Sequence, residues 1–228
     1  MNQDKLVRRM FLILHDPFTG KPQIGHDLLR TGLVAAELAA LTMARHIGME
    51  NDRIVVAETR GTESDEIDSF VVEGIQRQDS AHTVRSWVDA LGETVYDMVA
   101  RTLLAEGTVR RVQGGRRLVG RSPDRFPALD LMRAAGPRLR LEHMLRTPRE
   151  RDLAAAVTAA VLGALKVERV LDVDRDRATV KASVAAAASA LPVDLRSLVA
   201  GVEASGAATS AVTHGSAIGP MRRERRST

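Results

Sequence analysis

Apolar positions recur at helical spacing along most of this chain. In DKLVRRMFLILHDPFTGKP, Leu6, Met10, Ile13 and Leu14 fall on one side. This predicts a short helix starting near Asp4, with Arg8 and Arg9 on its wet face, a stop at Asp16-Pro17 and a turn through Thr19-Gly20. Residues 25–52, GHDLLRTGLVAAELAALTMARHIGMEND, predict a long alanine-rich helix with Leu29, Leu33, Ala36, Ala40 and Met43 at helical spacing; its Ala, Leu and Glu are strong helix formers, and it reads as the central helix. RIVVAETR is β-branched and predicts a short strand, and the acidic GTESDEIDSF after it predicts a solvated loop. Helical patterning resumes in SAHTVRSWVDALGETVYDMVARTLLAEGTV, with stripes at Val84, Trp87, Val88, Leu91 and at Val95, Val99, Thr102, Leu103, a break at Gly92 and an end at Gly107.

The next stretch, VRRVQGGRRLVGR at 109–121, predicts a β-hairpin in which Val109–Gln113 pairs with Arg116–Gly120 around a Gly114-Gly115 turn. Neither face of that hairpin is cleanly apolar, so it needs support from its own domain or from a second copy of the chain. SPDRFPALD is a proline-punctuated connector. Asp152–Leu171 predicts another helix, with Leu153, Val157, Ala160, Val161, Ala164 and Leu165 on one face, and two more alanine-rich helices follow it. From Ser205 the composition turns to Gly, Ser, Ala and Thr and ends GPMRRERRST, which reads as a disordered basic tail over 205–228 behind a single globular domain over 1–204. With only 3% aromatic residues and much alanine and leucine, the fold class is mainly α, a helical domain around a hydrophobic central helix with a β-hairpin.

Charge changes the picture more than composition does. Residues 1–107 hold 11 Lys and Arg against 17 Asp and Glu, whereas residues 108–151 hold 12 against 4, all twelve being arginine. Arginine forks onto phosphates bidentately, so an anionic partner is expected for the middle segment. The absence of cysteine excludes disulfides, thiolate metal sites and cysteine nucleophiles, and fits a reducing cytoplasm. No stretch approaches the roughly 20 apolar residues of a spanning helix.

Catalytic chemistry is not visible. No phosphate-binding loop, His-Glu-x-x-His or Gly-x-Ser-x-Gly occurs. The six histidines are scattered rather than paired at metal-binding spacing, and DVDRDR at 172–177 lacks the glycine and distal glutamate of a calcium loop. Neither an enzyme nor a cofactor or metal site is expected. A winged-helix nucleic-acid binder is the alternative reading of the arginine hairpin, but the preceding helix offers Glu93, Asp97 and Glu106 where a polyanion reader needs cations.

The order of LVRRMFLILHDPFTGKP, LLRTGLVAAELAAL, VRSWVDAL, VARTLLAEGTV, the arginine hairpin and RFPALD resembles the Golgi phosphoprotein 3 family over roughly residues 4–200, and the Ala- and Arg-rich composition suits a bacterial member. The resemblance implies a single, mainly α-helical domain with a hairpin used for self-association, here a homo-oligomer through 109–121. It also implies a non-enzymatic peripheral membrane adaptor; eukaryotic members bind phosphatidylinositol 4-phosphate through a Trp and several Arg and act as adaptors for glycosyltransferases. In an ungapped match the Trp position falls on Gly25 and the Arg positions on Val34, Glu93 and Tyr96, so none of the four is retained. Lys21, Arg30 and Arg85, with His26 nearby, are the candidates for a different anion site. Arg110, Arg111, Arg116 and Arg117 are the candidates for a less selective contact with an anionic leaflet. The expected setting is the cytoplasm, on the inner face of the membrane; the protein client is not legible.

Overall fold

The computed structural model describes residues 5–57, 65–115, 123–147, 152–171 and 176–215, with side chains through Gly206. Its helices are α1 (Leu6–Leu14), α2 (His26–Met43), α3 (Glu66–Gln76), α4 (Val84–Ala105), α5 (Leu131–Arg146), α6 (Leu153–Ala164), α7 (Arg177–Ser189) and α8 (Val193–Gly215). Strands β1 (Ile47–Glu50), β2 (Arg53–Val56) and β3 (His82–Thr83) form one antiparallel sheet in that order. The chain is mainly α around a hydrophobic central helix, as the apolar pattern predicts, and its β-hairpin among the described residues is the β1–β2 pair rather than the arginine segment's expected one.

The centre is α2, which packs against α1, α4, α6 and α8. Every residue from Thr31 to Ala39 is buried. Alanines on this helix are therefore core positions on all sides: their small side chains let the surrounding helices pack closely, and Leu29, Leu33 and Leu38 fill the space between them. Around α2 the apolar faces of α1 (Met10, Phe11, Leu14), α4 (Val95, Val99, Leu103) and α6 (Val157, Val161) complete one continuous core.

Several elements depart from the sequence reading, each for a local reason. The long helix stops at Met43, and Arg45 at φ 59° turns the chain into β1. Asn51 and Asp52, at φ 49° and 61°, then make a tight turn into β2, the turn chemistry that suits a twisted two-strand ribbon. The acidic loop gives way to α3 from Glu66. Asp65 caps it by accepting hydrogen bonds from the Ile67 and Asp68 amides, and Ile67, Val71 and Ile75 make a buried stripe that the surrounding acids disguise. Gly92 does not break α4; it lies where a Cβ would come within 3.2 Å of Arg30, so its role is to let α2 approach. Leu131–Arg146 is helical although Pro137 lies inside it. The helix beginning at Leu153 ends at Ala164 rather than Leu171, with Lys166 at φ 58° leading into a short 3-10 turn at Glu168–Val170. Finally, α8 runs through a buried Ser205 to Gly215, across the 204/205 boundary that composition suggested, and residues 216–228 lie outside the described residues.

Candidate functional site

The arginine segment is held by backbone pairing with the connector. Gly107 closes α4, and Val109 and Val112 then make isolated antiparallel bridges to Ala128 and Arg125. The Arg110 amide donates to the Pro127 carbonyl at 3.0 Å, and Val112 and Arg125 exchange bonds of 2.8 and 2.9 Å. In the described part the segment pairs with 125–128, where Phe126 is buried against Phe11 and Tyr96; the expected partner strand 116–120 lies outside the described residues. Arg116 and Arg117 lie outside the described residues.

The turn after α1 closes this structure from the other side. Gly20, at φ 66°, sits so close to residues 126–127 that a Cβ would lie 2.1 Å from the Pro127 nitrogen. Its carbonyl accepts from the Phe126 amide at 2.9 Å, and the Pro17 carbonyl accepts from the Ala128 amide at 2.9 Å. Behind them lies His15, stacked on Phe11 with ring centroids 4.0 Å apart and donating from Nδ1 to the Phe11 carbonyl at 2.8 Å. Burial lowers the His15 pKa to about 4, against a smaller opposing effect of that backbone bond, so the imidazole is neutral at pH 7.

The predicted anion residues are only partly brought together. Arg30 is committed to Glu93 at 2.6 Å and to Asp27 at 2.5 Å. Lys21 is exposed beside Pro22, which lines a cavity of about 450 Å³ together with His26, Glu93, Tyr96, Arg101 and Arg111. Arg111 is paired with Asp124, whose other oxygen accepts from the Gly114 amide at 3.0 Å, while Arg110 is exposed. Arg85 belongs elsewhere: it lies on the first turn of α4, about 12 Å along the helix from Glu93 at 1.5 Å per residue, and lines a different cavity with Gly201 and Ser205. A joint Lys21–Arg30–Arg85 anion site is therefore not formed.

Two of the four positions that the resemblance matches to headgroup residues fall at the cavity at Tyr96. Glu93 and Tyr96 line it, whereas Val34 is buried in the core and faces no ligand. Its bases, Arg101 and Arg111, are matched by Glu93, Asp97 and Asp124. Tyr96 has its pKa pushed up to about 12, first by burial and then by the neighbouring carboxylates, so it stays a neutral phenol. This cavity offers hydrogen bonds but little net positive potential.

Two features escaped the sequence reading. Arg8 and Arg9, assigned to a wet face, are half-buried and line a second cleft of about 290 Å³ between α1 and α5 with Arg133 and Arg140. Only the helix period could have hinted at it, since nothing in the sequence brings residues 8 and 133 together. The second feature is a set of exposed apolar side chains next to the arginine segment: Phe18 (72% exposed) in the turn bonded to residue 128, Leu129 (59%), Leu131 and Met132 (78%).

Beneath the cleft, Lys5 bonds Asp68 at 2.5 Å and Arg8 bonds Asp65 at 2.8 Å and Glu106 at 2.5 Å. Glu37, fully buried on α2, has its pKa raised well above the ordinary value by burial first, then by its interaction with the Asp68 carboxyl and by the charge of Asp65.

Among the described residues, no helix is long and apolar enough to cross a membrane, and no group of His, Asp and Glu residues is arranged to hold a metal ion. Compared with protein-family models, residues 6–216 match Golgi phosphoprotein 3 (GPP34). No curated protein matches the chain.

Proposed function

The chain belongs to the Golgi phosphoprotein 3 (GPP34) family, and from that premise we propose that it is a peripheral membrane protein that docks on anionic phospholipid through the end bearing the arginine segment. The observation carrying this reading is the juxtaposition there of exposed apolar side chains with cations on one hydrogen-bonded framework. Phe18 and Leu129 flank backbone bonded to the strand that carries Arg110, and Lys21 follows the Gly20 turn docked against the same connector. Apolar groups that enter the headgroup boundary and basic groups that meet its phosphates are the two elements a peripheral contact combines.

The family is not a known enzyme family, and an adaptor role on the inner, cytoplasmic face of the membrane goes with the same reading. Self-association through 109–121 would double the number of contacts per particle and so raise avidity. With Gly25, Val34, Glu93 and Tyr96 at the four aligned headgroup positions, selectivity for phosphatidylinositol 4-phosphate does not come from those positions.

The test is vesicle co-sedimentation of the full chain. We expect binding to phosphatidylcholine vesicles carrying phosphatidylserine but not to pure phosphatidylcholine, fading with salt as charge–charge contacts are screened. Replacing Phe18, Arg110, Arg111, Arg116 and Arg117 together with Ser should lower binding by roughly tenfold or more at low salt, given about 1 kcal/mol for each basic side chain near an anionic surface. Wild-type protein that ignores anionic vesicles, or a variant that binds as well as wild type, refutes the reading. Tighter and more salt-sensitive binding to duplex DNA than to vesicles would favour the nucleic-acid alternative.

A further inference from the structure

We propose that the cleft between α1 and α5 is a phosphomonoester-binding site. It deepens the membrane reading, and rests on it only for a lipid source of the phosphate. Four arginines, Arg8, Arg9, Arg133 and Arg140, line the cleft with Thr108 and Met132 among its other walls. The one acid in the lining is Glu106, and Arg8 already holds it at 2.5 Å while a second nitrogen of the same guanidinium holds Asp65. Arg8 is thereby fixed in place. Arg9 and the Arg133 side chain make no ion pair among the described residues.

Donors without acceptors accompany these charges. The Nε–H groups of both Arg8 and Arg9 are buried without an acceptor among the described residues, an unusual condition for a buried donor. Guanidinium groups from two helices match the oxygens of a phosphate by forked hydrogen bonds, and a phosphomonoester near pH 7 carries close to two charges, so it gains more from convergent cations than a phosphodiester does. At about 290 Å³ the cleft is at the small end of ligand sites, suited to a phosphate with a sugar-sized group attached. Gly136 lines the cleft, and a side chain there has room, since a Cβ would meet nothing within 4 Å. The cavity at Tyr96, larger at about 450 Å³, is instead balanced by Glu93, Asp97 and Asp124.

Calorimetric titration of the full chain with inorganic phosphate at low salt tests the site. Arg133→Glu reverses one exposed charge, and Gly136→Phe fills the cleft while keeping every charge. Saturable binding by wild type, weakened roughly tenfold or more in each variant, is the expected result for losing one charge-assisted phosphate contact or the space for it. No saturable binding by wild type, or unchanged binding in both variants, overturns the proposal. A second arm identifies the source by comparing phosphatidylcholine vesicles carrying phosphatidylinositol 4-phosphate with charge-matched vesicles carrying phosphatidylserine. A preference for the former that Arg133→Glu abolishes supports a lipid headgroup; phosphate binding without that preference supports the site with free phosphate as its ligand. A blank phosphate titration alongside intact sedimentation with anionic vesicles overturns the cleft and leaves the membrane reading standing, and the reverse pattern overturns the membrane reading alone.

Discussion

Acidification should weaken this protein through His15 in a way that a non-titrating ring abolishes. The imidazole is buried among Phe11, Tyr96 and Phe126, donates from Nδ1 to the Phe11 carbonyl, and leaves Nε2 buried without a partner. Its native pKa, about 4, lies below the ordinary 6.5. A group depressed on folding contributes stability that is present above its unfolded pKa and is lost as pH falls towards its native one, so the window is pH 6.5 down to about 4. At about 1.4 kcal/mol per pH unit, the loss reaches about 2 kcal/mol by pH 5 and about 3 kcal/mol by pH 4. Other carboxyls titrate in the same range, so the comparison must be with His15→Phe, which keeps a ring on Phe11 and cannot take a proton. That variant should be less stable than wild type at pH 7.5, where it loses the hydrogen bond, and should close the gap on going to pH 5 in urea denaturation. Parallel stability profiles for the two proteins between pH 7.5 and pH 5 would show that the ring is not held neutral by the fold.

Two further expectations concern stability. Glu37 has a native pKa above its unfolded value, so its contribution is full below the ordinary carboxyl range and drains away as pH rises towards the raised value. Glu37→Gln should therefore stabilise the protein more at pH 8 than at pH 5, and an equal shift in urea midpoint at both would refute the raised pKa. Gly20→Ala places a methyl group 2.1 Å from the Pro127 nitrogen at a positive φ, with an expected loss on the order of 3–5 kcal/mol from overpacking and backbone strain; a thermal melt within a degree or two of wild type would contradict it.

The helical frame was legible because its apolar periods are long. Leu6 to Leu14, Leu29 to Met43 and Val84 to Leu103 each repeat over several turns, and only burial on one side or more of a helix sustains that. What was lost depended on short segments or on partners distant in sequence. Residues 47–50 are four residues long and follow a strong helix without a proline, so their strand character emerges only through pairing with 53–56. The stripe Ile67, Val71, Ile75 is diluted by acids that in the fold cap the helix and hold Lys5 and Arg8. The arginine segment was recognisable as β-like, but its partner was not, because register there is set by Phe126 and by the Gly20 turn, over 100 residues apart in sequence. Arg8 and Arg9 looked solvated for the same reason: the α5 residues that turn a wet face into a cleft have no signature near α1.

The two cavities can be weighed against each other on electrostatics alone. At the aligned headgroup positions a carboxylate, Glu93, stands at the surface and ties up Arg30, the nearest α2 cation, so a phosphate entering there would have to displace an ion pair and face Asp97 and Asp124. At the α1–α5 cleft the one lining acid, Glu106, shares Arg8 with Asp65, and the difference lies in two further guanidinium groups, Arg9 and Arg133, that lack ion-pair partners among the described residues. The same backbone joins this cleft to the arginine segment: Thr108 lines it, accepts from the Leu129 amide at 3.0 Å, and lies two residues before Arg110. Exposed Met132 is at its mouth, on the first turn of the helix that Leu129 leads into. A surface that touches lipid through Phe18, Leu129 and Met132 would bring the cleft to headgroup depth without any rearrangement of the fold. The absence of Trp and Arg at Gly25, Val34, Glu93 and Tyr96 therefore leaves the proposed phosphate site intact, because its cations come from α1 and α5.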